Sequence, residues 1–207
     1  VVSFCASFAC KSSRHTRNSL FATTRHICKK LCVSRKYKFK DNEQMYFVSF
    51  ATVHWIDVFT RNEYRDEVLA SIRHCQEKKG LLVYAWCLMP SHMHMIIGSQ
   101  GNPLDGIMRD MKSFTSRRLR QLITDNVQES RQEWMLRIMQ QSGLRNSNNN
   151  GWQLWQQDSH PVELRDWPMT MQKLDYVHQN PVVAGFVDDA AAWLYSSARD
   201  YSGIKGL

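Results

Sequence analysis

Nowhere in the 207 residues do eighteen apolar residues run together, and no acidic residue precedes Asp41. The first absence excludes a membrane-spanning helix of ordinary length and assigns the 43% hydrophobic content to a soluble core. The second divides the chain by charge. Residues 1–40 hold ten of the 27 Lys and Arg, while the other seventeen face all nineteen Asp and Glu, so the body is close to neutral although the whole chain is +8. Bulk charge therefore says little about nucleic acid; the body needs a local basic patch, and the leader can add a sequence-independent attraction to phosphate. A disulfide framework is missing too. Cys5, Cys10, Cys28 and Cys32 fall in the leader at spacings without the second half of a zinc site, and Cys75 and Cys87 stand singly in apolar segments, which suits a reducing cytoplasm.

The length fits one domain. Residues 1–33 combine Ser, Cys, Arg and His without an apolar period and are expected to be a basic, disordered leader. An over-extended reading frame, with translation starting near Val33, explains such a leader better than an organellar transit peptide does. Residues 34–207 are then the folded domain.

Within it, Met45–Thr52 (MYFVSFAT) reads as a strand, and Arg61–Lys79 as a helix stopped by Gly80. Leu81–Met89 and His92–Ser99, broken by Pro90 and Ser91, read as a hairpin. Asn102 is expected to cap a helix with Pro103 in its first turn. That helix bears Arg109, Lys112, Arg117, Arg118 and Arg120, the densest basic group of the body, suited to a phosphate backbone or equally to plain solvation. Ser130–Met139 reads as a helix, Gly143–Gly151 as a polar loop and Trp152–Val162 as a strand interrupted at His160. A last helix, Pro168–Asn180, should end before Pro181. The order β-α-β-β-α-α-β-α suits an α+β fold, a ferredoxin-like antiparallel sheet with helices packed on one face.

Alternation along a strand puts His92 and His94 on one face with Met93 and Met95 opposite, so two imidazoles can grip one cation or simply make local hydrogen bonds. On the last helix Tyr176 and Asn180 lie one turn apart, with Gln172 a turn before. A phenol is a weak nucleophile near neutral pH and needs a polarised phosphate to attack; packing against the sheet is the plainer role. His160 and His178 suit structural roles better than proton transfer. Trp55, Trp86, Trp152, Trp155 and Trp167 suit base stacking or core packing.

Two blocks, YAWCLMPSHMHMIIGS (Tyr84 to Ser99) and LDYVHQNPVVAGFV (Leu174 to Val187), resemble the signature blocks of REP-associated tyrosine transposases. These are single-tyrosine HUH enzymes of the insertion sequence 200 type. WQQDSHPVEL (Trp155 to Leu164) and WLYSSARDYSG (Trp193 to Gly203) add to the likeness, which runs from about Ser34 to the C-terminus and omits the leader. The resemblance implies a ferredoxin-like fold in which His92 and His94 bind Mg²⁺ or Mn²⁺ and Tyr176 attacks single-stranded DNA, giving a 5′-phosphotyrosine and a free 3′-hydroxyl. It also implies hairpin-forming repeats as partner, a monomer or homodimer, and a bacterial cytoplasmic location, on the nucleoid when bound to DNA. Many relatives have a glutamine one turn beyond the tyrosine where this chain has Asn180, which leaves Asn180 and Gln179 as alternatives for the third ligand. Ser91 replaces a frequent asparagine.

The expected function is thus a metal-dependent single-stranded DNA nicking and rejoining enzyme. The alternative is a non-catalytic nucleic-acid-binding domain derived from a transposase. A two-metal phosphoesterase ranks last, because the further His and Asp residues that it needs are lacking.

Overall fold

The computed structural model describes residues 38–147, 149 and 151–206, which leaves the leader and its four cysteines outside the described residues. Those described belong to one compact unit, Ser34–Leu207. Its sheet has two unlike faces, and alternation decides them. In β1 (Tyr46–Ala51), Tyr46, Val48 and Phe50 enter the main core while Phe47 enters a smaller apolar cluster on the opposite side. β3 (His92–Ser99) runs antiparallel to β1, with Ala51 opposite His92 and Tyr46 opposite Ile97. Its Met93, Met95 and Ile97 face the main core, so His92, His94 and Ile96 face the other way.

β2 (Leu81–Leu88) pairs with the outer side of β3, and the two-residue β4 (Val162–Glu163) pairs with β1, giving the order β2-β3-β1-β4. The register of β2 shifts between Val83 and Ala85. Tyr84 is the extra residue of a bulge, and it reverses the parity: Leu81 and Val83 face the main core before it, Trp86 and Leu88 after it.

α1 (Asn62–Lys79) and α2 (Leu104–Asp125) cover the main-core face with stripes that include Tyr64, Val68 and Ile72, and Ile107, Met111 and Leu119. Gly80 ends α1 in the left-handed conformation, φ 66°, as expected of a C-terminal glycine. α3 (Gln132–Leu144) adds Met135 and Met139 to the same core and runs five residues past the expected end at Met139. The expected α+β antiparallel sheet is present, and helices on one face describes α1 and α2. α4 (Trp167–Val183) lies across the other face, where Val177 packs into the cluster of Phe47, Ala85, Cys87 and Ile96. The tail Tyr195–Ser197 then follows the outer edge of β2, with Leu88 N–H donating to Tyr195 O and Ser197 N–H to Trp86 O, before the short α5 (Ala198–Tyr201). No helix among the described residues is long and apolar enough to cross a membrane.

Three local expectations change. Asn102 does not cap α2: its side-chain amide donates to the Lys79 carbonyl at the end of α1, and Asn42 Oδ1 accepts from Leu104 N–H instead. The strand expected over Trp152–Val162 shrinks to β4 and one bridge between Thr52 and Trp155. Between them the carbonyls of Gln156 and Gln157 accept from Lys112 Nζ, and His160 adopts φ 41°, so this stretch cannot keep a ladder. α4 also continues through Pro181 to Val183, because a proline there removes only one late hydrogen bond while Ala184 N–H still reaches Asn180 O.

Glu129 ties the start of α1 to the α2–α3 connection. Its side chain is only 2% exposed and accepts from Arg61 Nε at 2.9 Å and Arg131 Nε at 3.0 Å. The Arg131 hydrogen bond, assisted by Arg61 and opposed by burial, pulls its carboxyl down to about 2. A depressed carboxyl contributes stability that is complete above its ordinary range and is lost as pH falls towards 2. Glu129→Gln should therefore lower stability at pH 7 by roughly 2 kcal/mol, a figure reduced for the partly exposed arginines. In urea unfolding the gap to wild type should narrow steadily below pH 4; equal stability at pH 7 would refute the assignment.

Candidate active site

α4 reaches the histidine face because its start is well defined. Asp166 accepts from Met169 N–H at 2.8 Å, Pro168 occupies the first turn, and Val177 anchors the middle of the helix. Lys173, Tyr176 and Asn180, spaced by three and four residues, then fall on one side of the helix, against β3.

His94 is the buried centre of the group, 4% exposed. It stacks on Phe47 with ring centroids 5.7 Å apart, and its centroid lies 4.9 Å from that of His92 and 5.1 Å from that of Tyr176. Burial, then the positive charges of His92 and Lys173, push its pKa down to about 3, so at neutral pH His94 is an uncharged imidazole with a free lone pair. Its Nδ1 is buried without a hydrogen-bond partner, which costs about 1–3 kcal/mol and needs a reason.

His92 is held at both nitrogens. Ser91 Oγ lies 3.2 Å from Nδ1 and Asn180 Oδ1 lies 3.3 Å from Nε2. Burial lowers its pKa as well, partly offset by the Asn180 contact. Tyr176 is half exposed and sits edge-on to both His94 and Phe47. Lys173 Nζ lies 4.8 Å from the Phe47 ring centre and 5.5 Å from that of Tyr176.

The fold thus brings four of the expected residues, His92, His94, Tyr176 and Asn180, to one place. Gln172 and Gln179 are exposed on α4. Among the described residues no three His, Cys, Asp or Glu side chains gather as a metal cluster, so a cation here would rely on two imidazoles and a carboxamide. That set fits a divalent metal: one imidazole is neutral and lacks a partner, the other faces a carboxamide oxygen, and water or phosphate oxygens can complete the shell.

His178 lies apart, buried, with Nε2 2.9 Å from Ser197 Oγ and its ring against Tyr201, a structural role. Trp155 is core, donating to Thr115 Oγ1, and Trp86 is packed against the same core. Lys173 is a site residue that sequence reasoning missed; its spacing of three from Tyr176 was the available signal. The basic residues of α2 have unlike partners. Arg109 pairs with Asp110 and Arg118 with Glu67, while Lys112 turns inward to the carbonyls of Gln156 and Gln157. Burial lowers the Lys112 pKa to about 8. Arg109, Lys112, Arg117 and Arg120 nevertheless line one groove of about 1000 Å³ between α2 and the segment before β4, where Arg120 lies over Trp152.

Comparison with known proteins agrees with this architecture. Residues 42–137 match the family described as Transposase IS200 like, a stretch that includes both histidines and ends before α4. A REP-associated tyrosine transposase solved with a REP hairpin is similar in fold, with a TM-score of 0.57 at 18% identity over 83% of this chain and 88% of that one. A Deinococcus radiodurans R1 protein described as a transposase has a TM-score of 0.40, again at 18% identity, over 71% of this chain and 95% of its own. No curated protein matches. Residues 42–137, just under half of the chain, are thus similar to the IS200-like transposase family.

Proposed function

We propose that this transposase cleaves and rejoins single-stranded DNA through Tyr176, acting on hairpin-forming strands such as the REP hairpin of its structural neighbour. The observation that carries the reading is the meeting of a phenol and a carboxamide on α4 with two imidazoles on β3. Attack by Tyr176 Oη on a phosphodiester forms an Oη–P bond and breaks the P–O3′ bond, and the phenolic proton is balanced by protonation of the departing 3′-oxygen. The product is a 5′-phosphotyrosine that conserves the bond energy for rejoining by a 3′-hydroxyl.

His92 and His94, with Asn180, would hold Mg²⁺ or Mn²⁺. Such an ion, when bound, polarises a non-bridging phosphate oxygen. Lys173 places positive charge beside the phenol, where negative charge gathers as the proton leaves. Phe47 fixes His94 from below and keeps water from that side. The α2 groove, with Arg109, Arg117 and Arg120, offers phosphate contacts away from the reacting centre, and Lys112 acts there by holding the groove's wall.

A labelled hairpin oligonucleotide with a single-stranded flank, incubated with the protein and Mn²⁺, should give a slower band on a denaturing gel that protease removes. Absence of that band across varied hairpins, with binding intact, would instead support the non-catalytic alternative.

A further inference from the structure

We propose that Trp55 is the platform on which the base immediately 5′ of the scissile phosphate stacks, a role that rests on the strand-transfer reading above. Tryptophan usually repays its size by burial, as Trp155 does at 5% exposed, yet Trp55 is 57% exposed. It stands on an unusual backbone. His54 and Trp55 have φ of 54° and 55°, two successive left-handed residues without a glycine, a conformation that L side chains avoid.

The surrounding structure holds this turn in place. Val53 and Ile56, on either side, are each 4% exposed. Thr52 Oγ1 lies 2.8 Å from Ile56 O and 3.0 Å from Ser91 O, and the backbone N–H of Val53 donates to Leu154 O at 2.7 Å. A firmly anchored, strained turn that carries an indole outwards points to a contact made by that indole, not to packing.

Its position says which contact. The Trp55 ring is edge-on to His92, with centroids 5.2 Å apart, while Tyr176 is edge-on to His94. Indole and phenol therefore stand at opposite ends of the histidine pair. In an in-line displacement the attacking and leaving oxygens lie on opposite sides of phosphorus. With Tyr176 attacking from one end, the departing 3′-oxygen faces Trp55. The base of the nucleotide that owns this oxygen, the 5′ neighbour, then meets the indole. Stacking there accepts any base and holds the freed 3′-end beside the site, ready for the reverse reaction.

The test uses a fluorescein-labelled single strand of mixed sequence and an abasic deoxyribose-phosphate strand of equal length. Trp55→Ala should weaken binding of the base-bearing strand about tenfold, Trp55→Phe should recover most of it, and the abasic strand should bind all three proteins alike. Deoxyadenosine 3′-monophosphate, which mimics the 5′ neighbour with its phosphate, should quench tryptophan fluorescence at lower concentration than the 5′ isomer, and Trp55→Ala should lose that difference. Equal affinity of wild type and Trp55→Ala for the base-bearing strand, or equal response to the two isomers, overturns the proposal. The covalent gel reports separately: this binding pattern without an adduct removes strand transfer and leaves a stacking site without chemistry.

Discussion

Tyr176→Phe is expected to lose covalent attachment to single-stranded DNA by at least about a thousandfold while binding the same strand within about twofold of wild type. The substitution is clean because the ring does most of the structural work at this position. A phenylalanine keeps the edge-on contacts to His94 and Phe47 and the Lys173 ammonium beside its face, and loses only Oη. Tyr176 is half exposed, so no buried partner is left unpaired. The measurement pairs the denaturing gel with fluorescence anisotropy on the same oligonucleotide. An adduct that persists in the variant would move the nucleophile elsewhere and end the present assignment.

The second large effect concerns the histidines. Replacing both His92 and His94 by alanine should reduce adduct formation at least a hundredfold and lower Mn²⁺ affinity, read by isothermal titration or Mn²⁺ electron paramagnetic resonance. Buried polar residues often cannot be removed without unfolding a protein, but this pair is favourable. The His94 Nδ1 has no partner to abandon, and the loss of that unsatisfied atom offsets part of the lost packing. Asn180→Ala should give a smaller loss, about 10–100-fold in metal affinity, whereas Gln179→Ala should change nothing because that side chain is exposed and Asn180 already meets His92. Unaltered Mn²⁺ binding by the double alanine variant would dismiss the site; activity dependent on Gln179 would transfer the third donor to it.

Much of this arrangement is legible in the sequence, and the remainder fails for identifiable reasons. β3 matches its expected span, His92–Ser99, because a proline and a polar residue bound a short apolar run whose alternation admits one reading. The stop of α1 at Gly80 is equally local. Pro181 reads as a terminator in the sequence, yet packing of Val177 and His178 carries α4 through it. The segment before β4 reads as a longer strand than it forms, because the carbonyls of Gln156 and Gln157 are claimed by Lys112, a residue far earlier in the chain. The same reason blurs the basic patch on α2. Spacing along a helix reveals a face, but not that Arg118 meets Glu67 or that Lys112 turns inward. The meeting of histidines and tyrosine was visible only through the family resemblance, since which face of the sheet a distant helix covers depends on tertiary packing.

The margins of the sheet have a bearing on how this protein meets copies of itself. Along β2 the bulge at Tyr84 breaks the repeat, and beyond it the Tyr195–Ser197 segment takes up Trp86 O and Leu88 N–H, itself fastened to α1 by Arg65 over Tyr195 and by the Tyr195 hydroxyl on Asp66. At the other margin β4 offers two residues. Neither border presents the long, regular row of open amides and carbonyls that a foreign strand needs for a template, so the described domain resists growing into ribbons even when it is crowded.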